Sequence, residues 1–174
     1  GGLIMKLGIL TSIFGNYNFE QVLDMTSEFG LECMEVACWP QGEGERRYAG
    51  VCHIDCENFT DEEAHTIINK CEEKKIFISA LGFYANLMDE NLEKRKENIQ
   101  HFMKVIDVSA KLNINMVTGF LGRMQHKTLE ENLKAVKEIW TPIIHYAESK
   151  KVRIAIENCP MLFTQDEWPG GQNI

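Results

Sequence analysis

Short apolar runs alternate with longer amphipathic segments along nearly the whole chain, and this alternation restricts the fold more than any other feature. Between the apolar runs, apolar residues recur at the three- and four-residue spacing of helices. The repeating order of strand and helix predicts a parallel α/β fold with right-handed crossovers. The apolar runs predict five strands, at 6–13, 31–39, 75–84, 113–122 and 152–158.

Helix starts are marked by a capping residue followed three positions later by Gln or Glu, the pattern of a capping box. A further helix, near 91–112, is predicted from its apolar spacing alone. With the capped segments it brings the expected number of helices to four. The capping pairs are Asn18 with Gln21, Thr60 with Glu63, and Thr128 with Glu131.

Two architectures fit this order: an open doubly wound sheet, and part of a (β/α)8 barrel. The chain lacks a Gly-x-Gly-x-x-Gly motif after the first strand, which disfavours a dinucleotide-binding sheet. Alternation in the fifth strand gives one aliphatic face and one mixed face, as expected when helices cover one side and a barrel interior lies on the other. The aliphatic face would hold Val152, Ile154 and Ile156, and the mixed face Arg153, Ala155 and Glu157.

The length of the chain restricts the barrel interpretation further. A complete (β/α)8 barrel takes about 250 residues, whereas this sequence has 174. We therefore expect a truncated TIM barrel of about five strands and four helices. Residues 1–5 are interpreted as a tag remnant and start, and 6–174 as the N-terminal part of a single barrel domain.

Composition excludes some partners. The formal net charge is −8, which argues against a nucleic-acid surface, since phosphate backbones need clustered Lys and Arg. A small anionic ligand stays open, because a few local basic groups can hold one. The sequence shows neither an apolar run of about 18 residues nor a signal peptide, so we expect no membrane span and a cytoplasmic protein.

The six cysteines are scattered and are expected to be reduced, as is usual in the cytoplasm. "CHIDC" at 52–56 offers several zinc ligands, but no second pair of ligands follows at a matching spacing. A zinc site at this motif is therefore disfavoured.

In parallel α/β folds, functional residues lie at the carboxyl ends of the strands. Aromatic residues there can form an apolar wall for a substrate, although loop aromatics often only cover the edge of a core. Arg123 follows a glycine and suits an anionic group such as phosphate; the alternative is a solvated loop arginine. The candidate substrate-binding residues are Trp39, His53, Tyr84, Asn86, Arg123 and Asn158.

Glu157 is the most informative strand-end residue. A carboxylate at the mouth of an apolar strand can bind a divalent metal, act as a general base, or do both. The alternative is an exposed acid at a strand end, or one paired with Arg153 or with a neighbouring strand. Glu35, in the middle of the second strand, must point into a polar barrel layer or be paired, and we interpret it as structural.

The segments 7–39, 78–123 and above all "VRIAIENCPMLFTQDEWPGGQNI" (152–174) resemble the sugar phosphate isomerase/epimerase group of the xylose isomerase-like barrels. The resemblance implies a (β/α)8 barrel with one divalent metal ion: manganese, magnesium, cobalt or zinc. The family's strand-five glutamate, which binds that metal and serves as acid/base, maps onto Glu157. The other metal ligands of the family, an Asp, a His and a Glu, come from strands six to eight, which this chain does not supply.

The resemblance thus implies a metal-dependent isomerase or epimerase that takes a proton from the carbon next to a carbonyl and forms an enediolate. Its small-molecule partner would be a sugar or sugar phosphate. Whether it forms a homo-oligomer stays open. We expect the 174-residue chain alone to be inactive. The alternatives are a non-catalytic partial barrel that binds a sugar or self-assembles and, ranked lower, an endonuclease IV-like repair enzyme, whose zinc-binding histidines would have to lie at strand ends.

Overall fold

The computed structural model describes residues 5–42 and 49–157. Within these ranges five parallel strands form one sheet in the order β1-β2-β3-β4-β5, and the alternation with helices is confirmed. The strands are β1 (Gly8–Leu10), β2 (Cys33–Ala37), β3 (Phe77–Gly82), β4 (Met116–Gly119) and β5 (Arg153–Ile156). The helices are α1 (Phe19–Glu28), α2 (Asp61–Lys74), α3 (Leu92–Lys111) and α4 (Leu129–Ser149).

The helices begin where the sequence predicts. All three capping boxes are present, at the starts of α1, α2 and α4. In each, the capping side chain accepts a hydrogen bond from the N–H of the third residue of the helix, whose own side-chain oxygen accepts one from the N–H of the cap. α3 starts after Asn91, whose side chain accepts from the N–H groups of Glu93 and Lys94. Local sequence therefore fixes these helix starts through their otherwise unpaired N–H groups.

The predicted end of the first strand is wrong. β1 stops at Leu10, and a short 3-10 helix follows over Thr11–Phe14. The buried Thr11 side chain accepts a hydrogen bond from the N–H of Ala37 at 2.9 Å. This bond satisfies a backbone donor at the end of β2, and the apolar pattern alone contains no signal for it.

The main core lies between the sheet and its helices. Met34 and Val36 of β2, like Val117 of β4, are fully buried in this layer, where Phe102 and Ile106 of α3 are buried as well. Full burial of such a side chain contributes about 1.5–3 kcal/mol relative to exposure. This layer therefore anchors the strands whose other face carries the polar groups described below.

Parallel pairing brings the residues of the opposite face into rows across the sheet. Ala37 pairs with Gly82, Gly82 with Thr118, and Thr118 with Ala155. Because side chains alternate along a strand, Glu157 falls on the same face as Ala155. β1 and β5 are the two edges of the sheet, so the described residues form an open portion of a barrel wall.

The predicted tag at 1–5 lies outside the described residues, except for Met5, as does Asn158. No described helix is long and apolar enough to cross a lipid bilayer.

Candidate active site at the carboxyl ends of the strands

Glu35 is the central polar residue of the sheet's inner face. A register shift between Met34 and Glu35 leaves Ser79 of β3 as an extra residue, so that Glu35 pairs with Ala80. The Ser79 hydroxyl donates to the Met34 carbonyl at 3.3 Å. Such bulges re-aim side chains and occur often beside active sites. Here the bulge sets which side chains of β3 face the Glu35 carboxylate.

Gly82 provides the space that the Glu35 carboxylate occupies. A Cβ atom built on Gly82 would lie 2.8 Å from Glu35 Oε1, 3.0 Å from the Tyr84 ring and 3.2 Å from Thr118 Oγ1. Any larger residue would therefore have to displace these groups. The carboxylate crosses β3 above this glycine and reaches the side chain of β4.

Two hydroxyl groups converge on one oxygen of Glu35. Tyr84 donates to Oε1 in a short hydrogen bond. Thr118 donates to the same oxygen at 2.7 Å. Three different strands or strand ends thus contribute to one cluster, which we call the Glu35 cluster: Glu35, Tyr84 and Thr118. Since the carboxylate is only partly buried and has two donors, its presence on the inner face is physically reasonable.

Electrostatics in the Glu35 cluster keep Tyr84 a neutral phenol. Burial raises the pKa of Tyr84 well above its ordinary value, and the negative charge of Glu35 and the hydrogen bond to it raise it further. The Thr118 hydroxyl opposes this shift, and the charge of Glu157 adds to it. Glu157 therefore lies close enough to act electrostatically on the cluster.

Glu157 directly follows β5 and continues its ladder, because its N–H donates to the carbonyl of Gly119 at 2.9 Å. Its side chain is exposed. The predicted position at the mouth of the fifth strand is therefore observed. A carboxylate that is wet, at a strand end and close to a neutral phenol can accept a proton from a bound molecule.

His53 lies behind the mouth, at the junction of the first two strand ends. The loop after β2 returns and pairs with it, through an antiparallel bridge between Cys38 and Cys52. The ring of His53 is 8% exposed; its Nδ1 lies 2.8 Å from Thr11 Oγ1 and its Nε2 lies 3.2 Å from the Phe14 carbonyl. Both ring nitrogens thus have protein partners.

The hydrogen bonds of His53 fit a neutral ring. Thr11 Oγ1 already accepts from the N–H of Ala37, so its own proton is available for Nδ1, while Nε2–H donates to the Phe14 carbonyl. Burial lowers the pKa of His53, and backbone hydrogen bonds to Phe14 and Tyr17 partly oppose this. In the described structure His53 joins two loops; its predicted contact with substrate stays a prediction.

The structure brings two of the candidate residues together, because the side chain of Asn86 bonds to the backbone of Arg123. The Asn86 amide donates to the Arg123 carbonyl at 2.8 Å, and its oxygen accepts from the Arg123 N–H at 2.9 Å. Gly122 makes this possible: its φ is +88°, and a Cβ there would lie 2.6 Å from Asn86 Oδ1. Asn86 therefore ties the loops after β3 and β4 together.

The side chain of Arg123 keeps hydrogen-bonding capacity. Its Nε is buried and has no hydrogen-bond partner among the described residues. A buried guanidinium donor without a partner is unfavourable; the predicted contact of Arg123 with an anionic group stays a prediction.

Trp39 covers the edge of the core next to the mouth. Its ring packs edge-on against Phe83, with centroids 5.0 Å apart. Phe83 in turn contacts the buried His101, whose Nε2 lies 2.7 Å from the carbonyl of Cys38. Trp39 is partly exposed, and its predicted role as an apolar wall for a substrate stays a prediction.

Sequence reasoning missed one residue of this site, Thr118. The expectation that Glu35 points into a polar layer or is paired is confirmed by its hydrogen bonds to Tyr84 and Thr118, while its interpretation as structural stays a prediction. The signal for Thr118 was present: it alternates with the buried Val117 and Gly119 in β4, which places it on the inner face. Its pairing with Glu35 depended on the bulge and on Gly82, neither of which the apolar pattern reveals.

The described residues do not make a metal site on their own. They contain no group of three or more His, Cys, Asp or Glu side chains arranged to hold an ion, and a closed site usually needs at least three protein ligands. At the "CHIDC" segment, burial raises the pKa of the Cys52 thiol to about 12, and the charge of Asp55 adds to this.

Comparison with known proteins decides the family. A sequence profile described as "Xylose isomerase-like TIM barrel" matches residues 23–170, which is most of the chain. The chain belongs to the xylose isomerase-like TIM barrel family. The predicted family and fold class are thereby confirmed. Among curated proteins no significant match is found.

Solved structures of this barrel type superpose on the chain. A D-psicose 3-epimerase determined in the presence of D-fructose has a TM-score of 0.66 at 19% identity; the match covers 92% of this chain and 54% of the epimerase. A D-psicose 3-epimerase from Clostridium cellulolyticum with D-tagatose has a TM-score of 0.60 at 14% identity, covering 87% and 52%.

A third structure, an IolI protein with a bound zinc atom, has a TM-score of 0.61 at 16% identity, covering 87% of this chain and 51% of that protein. At these identities the likeness shows the fold alone. The chain spans about half the length of the structures it matches. In the xylose isomerase-like fold, its five strands therefore correspond to about half of a barrel.

Proposed function

We propose that this chain supplies one part of a metal-dependent sugar or sugar phosphate isomerase or epimerase. The observation that carries the proposal is the position of Glu157, exposed directly after β5 and electrostatically coupled to the Glu35 cluster. The family and the sugar-bound structural neighbours support it.

In the proposed reaction Glu157 is the base. A substrate carbonyl lowers the pKa of the C–H bond next to it, and Glu157 removes that proton, leaving an enediolate. Protonated Glu157 can return the proton to the neighbouring carbon on its own face of the enediolate, which gives an isomer. An epimer forms when a second proton donor, on the opposite face, protonates the original carbon. Glu157 is positioned for this by its backbone bond to Gly119, which fixes where its side chain starts.

The metal requirement is proposed only for an assembled site. Among the described residues Glu157 is an oxygen ligand of the kind that hard divalent ions prefer, but further ligands must come from outside them. We therefore expect that the 174-residue chain alone binds manganese weakly or not at all. Isothermal titration with manganese measures this directly, and a tight site in the isolated chain would contradict the expectation.

The remaining candidate residues would hold the substrate. Arg123 is proposed to receive a phosphate or another anionic group, because its buried Nε lacks a partner among the described residues. Trp39 and the ring of Tyr84 would form apolar walls, while His53 and Asn86 would hold the loops. Asn158 is proposed as a substrate contact from the sequence alone, because it lies outside the described residues.

The proposal is tested with the complete protein that contains this sequence, incubated with D-fructose or D-tagatose in D2O. Proton abstraction predicts deuterium at the carbon next to the carbonyl, detected by NMR. Glu157→Gln should abolish this exchange, since an amide cannot accept the proton. Glu148→Gln, which alters an exposed acid in the last turn of α4, is the matched control and should exchange normally. Exchange that persists in Glu157→Gln would refute the role of Glu157.

A non-catalytic partial barrel that self-assembles is the second candidate function. It is favoured by one observation: β1 and β5 form the edges of the described sheet, and open strand edges readily pair with another chain. Light scattering on the 174-residue chain tests it. A dimer whose formation is blocked by a proline in β5 would support self-assembly; a monomer at all concentrations would exclude it.

A further inference from the structure

The Glu35 cluster forms the floor of the proposed site, and it determines whether that floor donates or accepts hydrogen bonds. Oε1 of Glu35 accepts from both Tyr84 and Thr118. Each of these hydroxyl groups has one proton, and that proton is directed at the carboxylate. Thr118 has two other acceptors, the Leu81 carbonyl at 3.4 Å rather than 2.7 Å and the Tyr84 hydroxyl oxygen. Of the three, the charged carboxylate is the strongest acceptor. The proton is therefore best placed on the Glu35 side.

A hydroxyl group whose proton already forms a hydrogen bond can still accept hydrogen bonds through the lone pairs of its oxygen. With both protons held by Glu35, the oxygen atoms of Tyr84 and Thr118 can act only as acceptors toward another molecule. The exposed carboxylate of Glu157 is an acceptor as well. This end of the sheet therefore presents oxygen lone pairs and negative charge, which suits a ligand rich in hydroxyl donors.

We propose that Glu35 is a positioning residue of the candidate site, which holds the Tyr84 and Thr118 protons so that the floor accepts hydrogen bonds from the hydroxyl groups of a neutral polyol. The inference rests on the proposed function only in placing a sugar-like ligand at the strand ends. Glu35 acts through its two neighbours. The anionic part of a phosphorylated ligand would lie away from this floor, toward Arg123.

The orientation is tested by NMR on the 174-residue chain labelled with 13Cζ-tyrosine, with the Tyr84 signal assigned through Tyr84→Phe. Glu35→Gln should move the Tyr84 signal, because an amide is a weaker acceptor than a carboxylate. Tyr146 is an internal control: its hydroxyl donates to Asp107 at 2.8 Å, between α3 and α4. Its signal should stay in place in Glu35→Gln and move in Asp107→Asn. An unmoved Tyr84 signal in Glu35→Gln would overturn the proposal.

Ligand preference is tested on the same samples by titration with sorbitol, a neutral polyol. The Tyr84 signal should shift saturably, and Glu35→Gln should bind about fivefold more weakly, the equivalent of one hydrogen bond. Asp107→Asn should bind as the unmodified chain does. Equal affinity in Glu35→Gln, or no saturable shift in the unmodified chain, would overturn the inference.

These outcomes are independent of catalysis. Sorbitol has no carbonyl and cannot be isomerised, so its binding neither requires nor demonstrates proton abstraction. If sorbitol binds as expected while Glu157→Gln leaves deuterium exchange unchanged, the proposed function fails and the role of Glu35 stands. If deuterium exchange depends on Glu157 but Glu35→Gln binds sorbitol with unchanged affinity, the proposed function stands and the role of Glu35 fails.

Discussion

Within residues 5–42 and 49–157, two tyrosine–carboxylate pairs occur in very different settings. Tyr84 donates to Glu35 on the inner face of the sheet, and Tyr146 donates to Asp107 between the outer helices. In the outer pair, Lys150 lies 2.7 Å from Asp107 and balances its charge. The inner carboxylate has two hydroxyl donors, and no described salt bridge involves it.

The two settings differ in the causes that shift the pKa of each tyrosine. Burial raises the pKa of Tyr146, with the hydrogen bond to Asp107 adding to it and Lys150 opposing it. For Tyr84 burial and the Glu35 charge act together, and only the Thr118 hydroxyl opposes them. The outer carboxylate is thus balanced by a cation, whereas the inner one is held by hydroxyl groups.

The largest expected effect on stability comes from removing the Tyr84 hydroxyl group. Tyr84→Phe removes a donor from a partly buried carboxylate and should lower the free energy of unfolding by about 2 kcal/mol. Urea denaturation of the 174-residue chain measures this. A loss no larger than that of the outer pair would remove the distinction between the two settings.

Gly82→Ala should disturb the Tyr84–Glu35 pair sterically while leaving the Tyr146–Asp107 pair intact. The added methyl would lie 2.8 Å from the Glu35 carboxylate, so the carboxylate or β3 must shift, at a cost of about 1–2 kcal/mol. The Tyr84 carbon signal should move with it, while that of Tyr146 should not. Gly30→Ala is unsuitable as a control because φ there is +69°. Gly15→Ala is the better comparison, because its φ is not positive and the one neighbour of the added methyl would be a Val51 methyl at 3.2 Å.

The outer pair should matter less. Tyr146→Phe leaves Asp107 with Lys150 and with solvent, so we expect a loss of only about 0.5–1 kcal/mol in the free energy of unfolding. The same urea titration, performed beside Tyr84→Phe, gives the difference between the pairs. A larger loss than in Tyr84→Phe would reverse the comparison.

The smallest expected effect is a pH dependence caused by His53. Its pKa is lowered in the folded protein, so the unfolded chain takes up a proton first as the pH falls below about 6.5. Stability should therefore decline from pH 7 toward pH 5.5 more in the unmodified chain than in His53→Gln. His145→Gln, at an exposed position of α4, should retain the decline. Identical pH profiles for all three proteins would contradict this assignment.

Much of the fold was predictable because its signals are local. Capping pairs such as Thr60 with Glu63 satisfy N–H groups within one helical turn, and apolar spacing identifies the buried faces. The end of β1 was not predictable, because the Thr11 hydroxyl bonds to Ala37, 26 positions away. Glu157 was found because strand ends are functional in this fold class, whereas Thr118 needed the register of three strands.

The sequence by itself determined the order of strands and helices, the helix starts, the family and the acid at the end of the fifth strand, since these depend on neighbouring residues and on recurring pattern. Only the tertiary structure decided that Glu35 reaches Tyr84 and Thr118 across a glycine. It also decided that Asn86 holds the backbone of Arg123. Both arrangements depend on distances between residues far apart in the chain, which are set when the strands pair and the helices close over them.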